Sequence, residues 1–121
     1  MSAKEEKLKS ILLELEKNSE VSNSAIISTK GQLMASALHQ DLDERAISAM
    51  AAALQSVGTR VADTLKAGKV NSIVLNGEKQ LIFLEQLSNS LLIAIAPPDA
   101  KVGLIDYEIN VALDKIKMIL G

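Results

Sequence analysis

Leu91-Leu92-Ile93-Ala94-Ile95-Ala96 runs straight into Pro97-Pro98. Six apolar residues with no polar position between them cannot leave one face in water. The stretch therefore predicts a strand covered on both faces, in the middle of a sheet, and ended by the two prolines. Working back along the chain, Leu87-Ser88-Asn89 reads as a turn and Gln80 to Leu84 as a strand. Asn76-Gly77 is a strong hairpin signal, and Val70 to Leu75 is the strand before it. Further back, Ala25-Ile26-Ile27-Ser28 and Gln32 to Leu38 read as two more strands. Thr29-Lys30-Gly31 joins them, with Gly31 supplying the positive φ of a tight turn. Each strand-to-strand link is short, so the sheet is expected to be mainly antiparallel.

Helices fill the gaps. Ser2 and Glu5 have the spacing of a capping box, and Leu8, Ile11, Leu12 and Leu15 form one apolar stripe behind them. That helix is expected to end in the polar stretch Asn18 to Ser24. Asp41 or Asp43 caps a second helix running to about Lys66, with Gly68 as its stop. Asp99 is positioned to cap a third, striped by Ile105, Ile109, Ala112, Ile116 and Ile119. The order helix, strand, strand, helix, strand, strand, strand, helix, with helices needed on both faces of the sheet, is a three-layer α+β domain spanning 1–121.

Composition narrows the partners. A chain of 121 residues, 48% of them apolar, fits a single folded domain. Thirteen basic against fifteen acidic residues argue against nucleic acid, which is held through clustered Lys and Arg. One Tyr, one Phe and no Trp offer almost no platform for stacking bases. Without cysteine there are no disulfides and no thiolate chemistry. The charged start at Ser2-Ala3-Lys4-Glu5-Glu6 is unlike a signal peptide, and Leu91 to Ala96 is too short to span a bilayer. A cytoplasmic protein with no membrane insertion is expected.

Chemistry-bearing motifs are scarce. Gly68-Lys69 is followed by Val70, so there is no P-loop, and neither G-x-S-x-G, G-x-G-x-x-G nor H-E-x-x-H occurs. His39 is the only histidine; it reads as a solvated side chain beside Gln40 and Asp41. Asp41, Asp43 and Glu44 read as charges that offset the positive end of a helix dipole. Glu85 reads as an exposed strand carboxylate. No enzymatic constellation, no cofactor and no metal are expected.

The second helix carries the main functional signal. Ile47, Met50, Leu54, Val57, Val61 and Leu65 form its central apolar stripe, expected to cover the sheet. Ala51, Gly58 and Ala62 lie on one flank of that stripe, Ala46 and Ala53 on the other. The apolar arc is therefore wider than one sheet needs. Gly in mid-helix costs about 0.5–1 kcal/mol relative to Ala, so Gly58 calls for a close neighbour. The small-residue flank suits a twin helix from a second copy. The strand at Val70, Ser72 and Val74, between a long helix and a tight hairpin, is expected at a sheet edge that pairs with its own copy. Ala51, Gly58, Ala62, Val70, Ser72 and Val74 are thus the expected dimer interface. Arg45, Ala52, Ser56, Thr59 and Asp63 point away from the stripe. With Arg60, the only other arginine, they are the expected partner-binding face.

Several of these segments resemble the roadblock family, which includes dynein light chains of the roadblock type and bacterial regulators of polarity GTPases. The resemblance rests on Lys30-Gly31-Gln32-Leu33-Met34-Ala35-Ser36, on Ala-rich Ile47 to Leu54, and on Leu65 to Gly68 leading into a strand. It also rests on Leu91 to Ala96 running into Pro98-Asp99-Ala100-Lys101-Val102-Gly103-Leu104. Thr29-Lys30 departs from the acidic or Asn residue common before that first glycine. The resemblance implies a profilin-like fold, a homodimer with a ten-stranded sheet and paired second helices, and binding to a small Ras-like GTPase. It implies regulation by reshaping the GTPase's own switch loops, without an inserted arginine finger. Two other readings stand beside it. One is a dimeric adaptor indifferent to nucleotide turnover; the other is a small-molecule sensor, which requires an enclosed pocket.

Overall fold

The computed structural model describes residues 2–39 and 41–121; Met1 and Gln40, the latter part of the polar connection after His39, lie outside the described residues. Among the described residues the order is α1 (Ala3–Asn18), β1 (Asn23–Ser28), β2 (Leu33–Ala37), α2 (Glu44–Thr64), β3 (Ser72–Asn76), β4 (Leu81–Gln86), β5 (Ser90–Ala96) and α3 (Val102–Leu120). The five strands form one antiparallel sheet in the order β2-β1-β5-β4-β3. β5, the apolar hexapeptide, is the central strand, as its lack of polar alternation requires. Leu92, Ala94 and Ala96 face α1 and α3, while Leu91 and Ile93 face α2 on the other side.

The larger core lies on the α1–α3 face. The Ser2 hydroxyl accepts from Glu5 N at 3.1 Å and starts α1, whose Leu8, Ile11, Leu12 and Leu15 are all buried. A 16-residue helix is marginal alone, and each of these side chains contributes about 1.5–3 kcal/mol on burial, so packing holds it in place. Ile105, Ile109, Ala112 and Ile116 of α3 interlock with Phe83, Leu92 and the α1 stripe.

Local signals differ from expectation in three places. Asp99 does not cap α3: it lies in a turn closed by Ala100 N donating to Pro97 O. The α3 N-cap is Lys101, whose backbone N–H donates to the Glu20 carboxylate at 2.9 Å, so a carboxylate distant in sequence serves the helix end. The hairpin at Asn76-Gly77 is not a two-residue turn. Asn76 still pairs with Leu81, and the loop is the four residues 77–80, closed by Gly77 N donating to Gln80 O. α2 ends without glycine at its left-handed position. Lys66 takes φ 58 there, with Lys66 N donating to Asp63 O and Ala67 N to Ala62 O. This is a Schellman motif, and Gly68 comes two residues later. Gly31 does hold positive φ, at 86, in the turn between β1 and β2.

Candidate functional site

Among the described residues, α2 lies alone on the second face of the sheet. Asp43 caps it, one carboxylate oxygen accepting from Arg45 N and Ala46 N at 3.1 Å each. The side turned to the sheet carries Ser48, Ala51, Gln55 and Ala62, all buried, with Ile47 and Leu54 half-buried at its margin. Below them lie Ile27, Leu84 and Leu91.

This overturns the expected orientation of the helix. Ala51 and Ala62 were expected to meet a second copy, but they pack within the chain and are 4% and 7% exposed. Gly58 also has its neighbour in the same chain: a Cβ there would stand 2.8 Å from Ile73 Cδ1 on β3. Of the central stripe expected on the sheet, Ile47 and Leu54 do pack at its margin, while the other four residues turn away. Met50 is 63% exposed, Val57 55%, Val61 52% and Leu65 73%. Hydrophobicity marked a side chain that needs covering without saying what covers it.

The exposed stripe continues onto β3. That strand is an edge of the sheet and pairs only with β4 among the described residues. Leu75, on the α2 side, and Val74, on the α3 side, are both substantially exposed. Ser72 is the first residue of β3 and is exposed. Val70 precedes the strand and is half-buried, so it contributes no rung to the ladder. Helix stripe and sheet edge together form one apolar surface with unpaired backbone groups along one border.

The flank of α2 toward the β1–β2 turn carries the expected partner-binding residues. Arg45, Ser56, Thr59, Arg60 and Asp63 are exposed and Ala52 is half-buried. The Thr59 hydroxyl donates back to Gln55 O at 2.9 Å, leaving less of it for a partner. Gln55 and Gln86, absent from the expected site, lie beneath this flank and hydrogen-bond to each other. The sequence did hold a signal for Gln55. It falls four residues after Ala51 and seven before Ala62, on the same face of the wheel.

The remaining ionisable candidates are mostly structural. His39 is exposed, as expected, and its Nε2 also contacts Glu16 Oε1 at 2.5 Å, tying the segment after β2 to α1. Among the described residues no group of three His, Asp or Glu is placed to hold a metal ion. Glu85 is less exposed than expected. Burial first, and the Asp106 carboxylate second, push its pKa from 4.5 up to about 7. No helix among the described residues is long and apolar enough to cross a membrane.

The family model of the Roadblock/LC7 domain matches residues 7–96. The chain belongs to the Roadblock/LC7 family. This roadblock chain is 27% identical over 107 residues to the protein MJ0310 of Methanocaldococcus jannaschii, covering 88% of the chain and 94% of that relative. Its fold is that of Myxococcus xanthus MglB, with a TM-score of 0.92 at 18% identity over 99% of the chain and 92% of the MglB chain. Acanthamoeba castellanii profilin II shares the fold more loosely. Its TM-score is 0.61 at 16% identity, over 86% of this chain and 94% of the profilin. The roadblock domain is thus a profilin-like sheet between helices.

Proposed function

We propose that the chain is a homodimeric regulator or scaffold that binds a small Ras-like GTPase, modulates its GTP hydrolysis, and brings no catalytic residue of its own. The observation that carries this reading is the apolar stripe Met50, Val57, Val61 and Leu65 lying open beside the β3 edge. Exposed apolar surface next to an unpaired strand is covered most economically by a second copy, which pairs β3 with β3 and packs α2 on α2. Membership of the roadblock family supports the same arrangement.

The flank with Arg45, Ser56, Thr59, Arg60 and Asp63 stays free in such a dimer and offers charges of both signs to a partner. The chain acts there by contact, favouring one conformation of the GTPase's switch segments.

The test has two stages. Light scattering of the purified chain is expected to report twice 12.9 kDa. The dimer is then mixed with Ras-like GTPases of its own organism, loaded with GDP or a GTP analogue. The expected result is binding that prefers one nucleotide state and a changed hydrolysis rate. Binding equal in both states with no change in rate makes the chain an adaptor instead.

A further inference from the structure

On the face of the sheet away from α2, a recess of ≈ 210 Å³ opens between the start of α1, β2, the β4–β5 turn and the end of α3. Met34, Leu87, Ile116 and Leu120 form its apolar walls. Ser90 lies among them. It is 3% exposed, and the alternation of β5 turns it, like Leu92 and Ala94, toward α1 and α3. Its hydroxyl makes no hydrogen bond among the described residues, yet it is not sealed off as Ser24 Oγ is. Buried side-chain hydroxyls are mostly satisfied, so an open, unpartnered one in the lining of a recess points to an occupant. At the rim stand Lys4 and Lys117, both exposed and neither in an ion pair among the described residues.

We propose that this recess binds a short, unbranched aliphatic carboxylate, a free fatty-acid anion of about six carbons. A cavity of roughly 150 Å³ admits a benzene ring, so ≈ 210 Å³ has room for such a chain and little more. The apolar walls suit its methylene groups. The Ser90 hydroxyl and both ammonium groups can donate, and a carboxylate only accepts. An amine of the same length would meet two like charges, and an alcohol would forgo the charge attraction. Glu5 and Glu6 share the first turn of α1 with Lys4, but no acidic side chain lines the recess. The last carbonyl groups of α3 oppose an anion, and Lys117 in the same turn offsets them. A glutamate side chain from a docked protein has only two methylene groups and would leave much of the apolar wall uncovered. Occupation leaves α2, across the sheet, free, so the inference does not rest on the GTPase reading.

The test is a titration of the full-length, isotope-labelled chain with sodium hexanoate, followed by NMR. Hexan-1-ol, sodium acetate and N-acetyl-glutamate methylamide are the controls. The expected result is saturable shifts of the Ser90 amide and of the Met34, Ile116 and Leu120 methyl signals, with each control binding at least about tenfold more weakly. Lys4→Gln combined with Lys117→Gln, both at exposed sites, is expected to weaken hexanoate by at least about tenfold, and Ser90→Ala to weaken it several-fold. Should Ser90→Ala fail to fold, the lysine variant carries the test. Shifts that never saturate, hexanol or the glutamate probe binding as tightly as hexanoate, or undiminished binding by either folded variant overturns the proposal. The titration contains no GTPase, so its failure removes the recess alone, and a failed GTPase assay leaves it untouched.

Discussion

Gly58 of α2 and Ile73 of β3 are matched partners within one chain: a Cβ on the glycine would stand 2.8 Å from Ile73 Cδ1. The absent side chain lets the second half of α2 come down onto the edge strand. Only the end of the Ile73 side chain stands in the way, so Ala is expected to be tolerated. It gains about 0.5–1 kcal/mol of helix propensity against a small displacement of Ile73. Gly58→Leu is expected to destabilise the chain by roughly 1–3 kcal/mol through overpacking. Adding Ile73→Ala is expected to recover part of that loss, a coupling of roughly 1 kcal/mol in a denaturant double-mutant cycle. Were Gly58 instead packed against a second copy, Gly58→Leu would halve the assembly mass and Ile73→Ala would not rescue it.

The stripe on α2 gives a direct test of self-association. Val57→Asp places a charge at the middle of the proposed interface, on a side chain that is 55% exposed in the single chain. The subunit fold is expected to survive, while dimer affinity falls by at least about 2 kcal/mol, roughly thirtyfold. Light scattering over a dilution series reads this out, and Arg45→Glu on the other flank serves as the control that keeps the dimer mass.

Stability is expected to depend on pH through Glu85. Its pKa is about 7 in the folded chain against 4.5 as the ordinary value, so the folded state holds the proton more tightly than the unfolded one. The stabilising contribution is therefore full below about pH 4.5 and is lost as pH rises through about 7. Denaturant midpoints at pH 5, 6, 7 and 8 are expected to show this fall. Glu85→Gln is expected to flatten it, and Asp106→Asn, which removes the secondary cause, to reduce it partly. An unchanged slope in Glu85→Gln would assign the dependence to another group.

The C-terminal end of α2 carries a stabilising substitution in waiting. Lys66 holds φ 58, a conformation that side chains with a Cβ disfavour, at the Schellman position usually given to Gly. Lys66→Gly is expected to raise stability by roughly 0.5–1 kcal/mol, less the greater entropy of Gly in the unfolded chain. Lys66→Val, β-branched at the same position, is expected to lower it. Thermal melts of the three proteins rank the effect.

Much of the architecture was legible in the chain. The unbroken apolar run Leu91 to Ala96 located the central strand, and Leu8, Ile11, Leu12 and Leu15 located the face of α1. Each rests on a local periodicity that one neighbouring layer satisfies. The cap of α3 was not legible because it comes from Glu20, 81 residues away from the Lys101 amide it accepts from. Of the flank of α2 expected to meet a partner, the exposure of Arg45, Ser56, Thr59, Arg60 and Asp63 was legible. The Gln55–Gln86 pair beneath it joins two residues 31 apart and shows no periodicity of its own.

The sequence alone determined the order of elements, the antiparallel sheet with helices on both faces, and a middle helix with more apolar surface than one sheet can cover. Only the tertiary structure decided which part of that surface the sheet takes. It gives Ala51, Gln55, Gly58 and Ala62 to the sheet and turns Met50, Val57, Val61 and Leu65 outward. Hydrophobicity measures the gain from leaving water and is silent about the surface that replaces it. Shape took part in that choice at Gly58, where a Cβ would lie 2.8 Å from Ile73 Cδ1.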